Sequence, residues 1–262
     1  MKRLFFVLAS TLVLCSLWLM PACGTFGVVI GSGDLETQDF NLADFSRVQV
    51  ENTFNVEIRQ AAAYSVKVTV DDNLMDYVRV TRNGDTLVLS ARSGYSYPNS
   101  TFRAQVTMPN LRELRLSGAS KADVAGFTAR ENLRVTASGA SSAYFLNTHA
   151  GTLDVEISGA SAVKGALDAD GNAVMNLSGA STVELTGSAQ DLNVEASGAS
   201  QVRLSGFTVR NAGVNLSGAS QGTVNAGGTL SGTLSGASHL GYRGNPTLGD
   251  INTSGGSSVG RE

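Results

Sequence analysis

Leu153-Asp154-Val155-Glu156-Ile157-Ser158-Gly159-Ala160-Ser161 sets two patterns end to end. Leu153, Val155 and Ile157 recur two apart with acids between them, which is the period of a strand with one buried face. The Ser-Gly-Ala-Ser that closes the stretch is a corner of small residues, and it recurs. Copies begin at Ser117, Ser138, Ser158, Ser178, Ser197, Ser217 and Ser235, in steps of 21, 20, 20, 19, 20 and 18 residues. An eroded copy, Ser254-Gly255-Gly256-Ser257, follows 19 later. A period near 20 that tolerates small slips predicts a solenoid, each repeat being one coil stacked on the last. The fold class is therefore all-β, a parallel β-helix-like solenoid with stacked Ser-Gly-Ala-Ser corners.

The same alternation precedes every corner, at Leu114/Leu116, Leu133/Val135, Met175/Leu177, Leu192/Val194 and Val214/Leu216. It resumes after most of them, at Ala122/Val124, Ala143/Phe145, Val183/Leu185, Val202/Leu204 and Leu240/Tyr242. Each coil thus holds two clear strands and a variable return such as Asp168-Ala169-Asp170-Gly171-Asn172. Gly118, Gly139, Gly159, Gly179, Gly198, Gly218 and Gly236 are expected to form a structural ladder of corner glycines, since glycine reaches backbone angles closed to other residues. The alanine is expected to point inward where the coil bends, and the serines to satisfy corner backbone groups or one another. A competing reading has the outer serine column offer hydroxyls to a glycan.

Alignment of the coils places outward residues in columns. One column runs Asp123, Tyr144, Lys164, Glu184, Arg203, Thr223, and another runs Glu113, Arg134, Asp154. Opposite charges on neighbouring strands pair favourably, but weakly when exposed, so these read as solvated faces.

The first half follows the pattern more loosely. Val48 to Ile58 superposes on Leu192 to Leu204, with Glu51 to Phe54 in the place of the corner. Further strands are predicted at 64–70, 78–80, 86–90 and 102–108. One helical turn with an aspartate cap is predicted at 71–76, and Asn83-Gly84-Asp85 is a hairpin signal. Residues 34–110 are read as irregular coils and hairpins capping the regular repeats of 111–262, the two being continuous as one domain.

Met1-Lys2-Arg3, the apolar run Leu4 to Leu19 and the closing Met20-Pro21-Ala22-Cys23 have the layout of a secretory signal peptide, assigned to residues 1–22. The run is short for a permanent membrane helix, which needs about 20 apolar residues. A small residue directly before a cysteine resembles the lipobox of bacterial lipoproteins. Cys15 lies inside the run, so signal removal leaves Cys23 as the lone cysteine, without a disulfide partner. Lipidation of Cys23 accounts for it, and residues 23–33 then read as a flexible tether. Gly24 after the cysteine, in place of aspartate, points to the outer membrane under lipoprotein sorting rules. The expected location is thus exported and lipid-anchored, with the membrane as a partner.

Beyond Cys23 the chain carries 17 basic and 22 acidic residues and no basic patch, which argues against nucleic acid as a partner. Edge coils at a solenoid end invite association, so copies of the chain are candidate partners for one another.

Several stretches together resemble the bacterial family described as "putative auto-transporter adhesin, head GIN domain". They are Gly31-Ser32-Gly33, Phe45 to Val50, Phe54 to Gln60, Val66 to Asp72 before Asn73-Leu74, Gly84 to Leu87, and the Ser-Gly-Ala-Ser series. Ala61 departs from the glycine common at that point. The resemblance spans most of residues 31–257. It implies a β-helix-like fold on exported proteins of Gram-negative bacteria, often lipoproteins, and an adhesive role.

Reactive groups are sparse. His149 and His239 lie several coils apart and cannot share one serine, no Cys/His metal spacing occurs, and no phosphate loop appears. No catalytic residue, cofactor or metal is assigned. The enzyme class left open is a polysaccharide lyase or hydrolase, with Asp154 and Glu156, or Lys164 and Glu184, as imaginable groups. For binding, Ser93 to Ser100 is the longest excursion. Its Tyr95 and Tyr97 are candidate ligand contacts for a glycan or an envelope protein, or else a lid folded back on the solenoid end.

Overall fold

The structure, a computed structural model, describes residues 27–128 and 130–262. Two long sheets run side by side along it, one of 11 strands and one of 12. Ten rungs build them, each giving one strand to either sheet, and the regular ones begin with 113–116/121–125 and end with 247–253/258–261. At about 4.8 Å per rung the stack is about 43 Å long. Register is kept from coil to coil: Leu114, Val135, Val155, Met175, Val194 and Val214 face one another in one inward column. All six are fully buried. The charge columns hold as well, with Asp123, Tyr144, Lys164, Glu184, Arg203 and Thr223 on successive strands.

The corners explain the repeat. Each glycine has φ between 72° and 78°. The amide that follows it donates to the glycine carbonyl one coil below, as Ala180 N does to Gly159 O at 2.8 Å. The column continues into the first half, where Asn52, at φ 70°, takes the glycine position and accepts from Ala119 N.

The alanine does not point inward. It is exposed in all seven copies, and the fourth residue, Ser120, Ser141, Ser161, Ser181, Ser200, Ser220 or Ser238, is the one buried. A left-handed glycine turns the chain by itself, so the inward position falls one residue later. There the hydroxyl reaches back across the turn: Ser181 Oγ donates to Ser178 O at 2.9 Å, and Ser200 Oγ to Ser197 O at 2.7 Å. Phe54 occupies the serine position of the Asn52 corner and closes the polar column with an aromatic ring.

Chain order and spatial order diverge at the N-terminal end. Strands 47–50 and 55–60 form a rung on which 113–125 stacks directly. Strands 86–91 and 102–108 form a rung on its other side. Antiparallel strands finish this end: 78–83 against 86–91 through the Gly84-Asp85 turn, and 35–40 against 65–71 against 102–108. The helical turn is a 3-10 turn over 72–77, and Asp71 does not cap it through its side chain. That carboxylate instead accepts from Gly33 N at 2.8 Å and Thr101 N at 2.6 Å.

The expected tether lies partly within the described residues, and there it is not free. Gly27–Val28 pairs in parallel with Tyr95–Ser96, and Gly31 N and Ser32 N donate to Ser100 Oγ and Asn73 Oδ1. The Gly31-Ser32-Gly33 segment finds hydrogen-bond partners on the cap, so it is held there. The signal peptide, Cys23 and the first residues of the tether lie outside the described residues.

Candidate ligand-binding surface

A concave trough of about 800 Å³ crosses the 12-stranded sheet near the cap. It spans six neighbouring strands, from Thr69 on 65–71 to Ala162 and Lys164 on 162–169, about 24 Å along the axis. Strand alternation supplies its two outward rows. Next to the corner stand Arg103, Asn55, Lys121, Ser142 and Ala162, and two residues on stand Gln105, Glu57, Asp123, Tyr144 and Lys164. The small Ser142 and Ala162 leave the floor low beside Tyr144, which is 49% exposed. Lys164 pairs with Glu184 at 3.3 Å, and Glu57 with Arg59 at 3.5 Å. The trough thus combines an aromatic platform, amides, hydroxyls and charges of both signs, and its volume is in the range of ligand sites.

A second, shallower groove of about 650 Å³ follows the corners. Its walls are the first serines of the tetrapeptides, Ser158 to Ser235, and the column Glu156, Asn176, Glu195, Asn215, Thr233. The serines that face solvent are therefore the first of each copy, and among the described residues no aromatic side chain lines them.

Tyr95 and Tyr97 are brought together in the cap and not held out on a loop. Tyr77 meets Tyr95 edge-on at 5.1 Å, Tyr97 packs on Phe102 at 5.1 Å, and the Tyr97 hydroxyl donates to Arg92 O. Burial pushes the Tyr97 phenol up from its ordinary pKa. His149 bonds Asp170 at 2.9 Å, a carboxylate shared with Arg130, whereas His239 Nδ1 meets Ser258 Oγ at 2.8 Å. Each histidine has its own local partner, several rungs from the other.

Asp154 and Glu156 both engage Arg134. Glu113 departs from the solvated face expected of its column: it is 6% exposed and held by Arg115 at 2.7 Å and Arg47 at 3.6 Å. Hydrogen bonds from Arg210 hold the Asp191 carboxyl below its usual range. Among the described residues no group of three His, Cys, Asp or Glu is placed to hold a metal ion. The trough escaped the sequence reading because Tyr144 looks there like any outward residue. An aromatic in a column of charges was its one trace.

These features define a two-strand-per-coil parallel β-solenoid with an antiparallel cap and a lateral groove. The chain belongs to the family described as "putative auto-transporter adhesin, head GIN domain", whose model matches residues 44–246. A structure of a putative adhesin from Parabacteroides merdae is 20% identical with a TM-score of 0.80, over 90% of this chain and 99% of that one. A protein from Parabacteroides distasonis described as a putative lipid binding protein is 19% identical with a TM-score of 0.78, over 90% and 99%. A putative adhesin from Bacteroides fragilis is 18% identical with a TM-score of 0.65, over 89% and 100%. No curated protein matches the chain.

Proposed function

We propose that this protein is an exported lipoprotein, anchored through Cys23 to the outer membrane, that acts as a non-catalytic adhesive module and binds extended glycan along the trough. The observation that carries the proposal is Tyr144, about half exposed on the fifth of the six strands that the groove crosses. A groove that long suits a chain ligand, and a ring flanked by amides and charges suits a sugar face with hydroxyls around it. The adhesin description of the family supports the same reading. Tyr95 and Tyr97 are the second candidate contact, disfavoured because their rings already pack within the cap.

The test uses residues 23–262 against pectic, chitinous, peptidoglycan and β-glucan polymers. Binding without release of reducing ends or unsaturated products is expected, and Tyr144→Ala should weaken it by roughly 1–3 kcal/mol, as for an aromatic anchor. Replacement of His149 and His239 together should leave it unchanged. Unaltered binding by Tyr144→Ala, with loss in a Tyr95→Ala/Tyr97→Ala variant, moves the contact to the cap. Polymer cleavage abolished by Asp123→Asn or Glu184→Gln would overturn the non-catalytic reading and install a polysaccharide-active enzyme in its place.

A further inference from the structure

We infer that the antiparallel cap is a membrane-facing surface, with Val28 and Ile30 resting in the interface of a zwitterionic phospholipid leaflet. The inference rests on the lipid-anchored reading above. Residues 27–33 are strapped to the cap: Gly27 N donates to Gly94 O, Val29 N to Ser96 O, Gly31 N to Ser100 Oγ and Gly33 N to Asp71 Oδ1. Along this extended strap Val29 packs against the core, whereas Val28 is 64% exposed and Ile30 60% exposed. A strand with one covered face ordinarily alternates apolar in and polar out. This one is apolar on both faces, and within the described residues the outer face has no cover.

Chain length says what covers it. Gly27 is four residues from Cys23, at most about 14 Å of extended chain. The strap cannot lengthen that reach without giving up its hydrogen bonds to the cap. An acyl group at Cys23 therefore holds this end, and no other, at the bilayer. Leu35, 53% exposed, begins the outermost strand of the same cap. Tyr77, Tyr95 and Tyr97 cluster beside Gly27, and tyrosine rings suit the headgroup level, apolar at one end and wet at the other. Charge selects the lipid: residues 27–44 and 65–83 hold seven Asp or Glu against three Lys or Arg, which disfavours an anionic leaflet.

The experiment replaces the natural anchor with an artificial one. Residues 23–262 with Cys23→Ser and an N-terminal histidine tag are tethered to phosphatidylcholine vesicles containing a nickel-chelating lipid and brominated acyl chains. The single tryptophan, Trp18, lies before this segment, so an introduced one reports alone. Val28→Trp and Ile30→Trp should show a blue shift and loss of emission to the brominated lipid. Val174→Trp, an outward site on the regular rungs, should show neither. Equal accessibility of all three to iodide would overturn the inference. So would a blue shift at Val28→Trp without bromolipid quenching, which would mean that a second copy covers the strap. Because the tag supplies the anchor, the result does not depend on acylation of Cys23, which is tested separately by fractionation.

Discussion

Gly179 sits directly on Gly159: a Cβ built at Gly179 would stand 2.7 Å from the Gly159 carbonyl oxygen. The same oxygen accepts the Ala180 amide at 2.8 Å, so it cannot move aside without breaking the ladder. Two independent constraints, a left-handed φ of 76° and a backbone neighbour, meet at one residue.

Gly179→Val is expected to cost more than the roughly 1–3 kcal/mol of a strained φ alone. Gly84→Ala isolates the first constraint, because Gly84 has φ 61° with nothing within 4 Å of a built Cβ. Thermal melts should show Gly179→Ala clearly more damaging than Gly84→Ala. Equal losses would remove the stacking contact from the account.

Ser181→Ala should be mild by comparison, under about 1.5 kcal/mol. Its buried hydroxyl closes the turn onto Ser178 O and lies 3.4 Å from Ser200 Oγ, but the glycine sets the backbone. Urea titration of the single variant checks this. A loss as large as that of Gly179→Val would make the hydroxyl the conformational determinant.

Acid should loosen the strap before the solenoid. The Thr101 amide, and with it that of Gly33, holds the Asp71 carboxyl below its ordinary range, although burial pushes the other way. A lowered folded pKa contributes stability that is fully present above the unfolded value near about 4 and is lost as pH falls through the folded one. The protection of the Gly33 and Thr101 amides from exchange, taken relative to the intrinsic rate at each pH, should therefore fall at low pH, and Asp71→Asn should remove that pH step. An acid profile unchanged by Asp71→Asn would contradict this account.

If the proposed anchor holds, Cys23→Ser should transfer the protein from the membrane fraction to the soluble one. Carbonate-washed membranes probed for parent and variant decide the matter. Retention of both, or release of both, would set the lipid anchor aside.

The spacing of Ser-Gly-Ala-Ser and the flanking period of two determined the coil, the strand pair on either side of the corner and the register of the charge columns. Those features are local and repeated, so each copy states them again. Glu51 to Phe54 could be placed on a corner because Val48/Val50 and Val56/Ile58 keep the same alternation on either side. What lay beyond the sequence was everything set by contacts distant along the chain. The rung of 86–108 slips beneath that of 47–60, because edge pairing in space is indifferent to order in sequence. Strap residues 27–33 read as free until partners 38 to 69 residues away captured their amides. Ser142 stands two residues before Tyr144 on its own strand, but Tyr144 became a platform only when Ala162 was laid beside them on the neighbouring strand. Relief on a surface depends on which side chains stand next to one another across rungs, and only the stacked structure decides that.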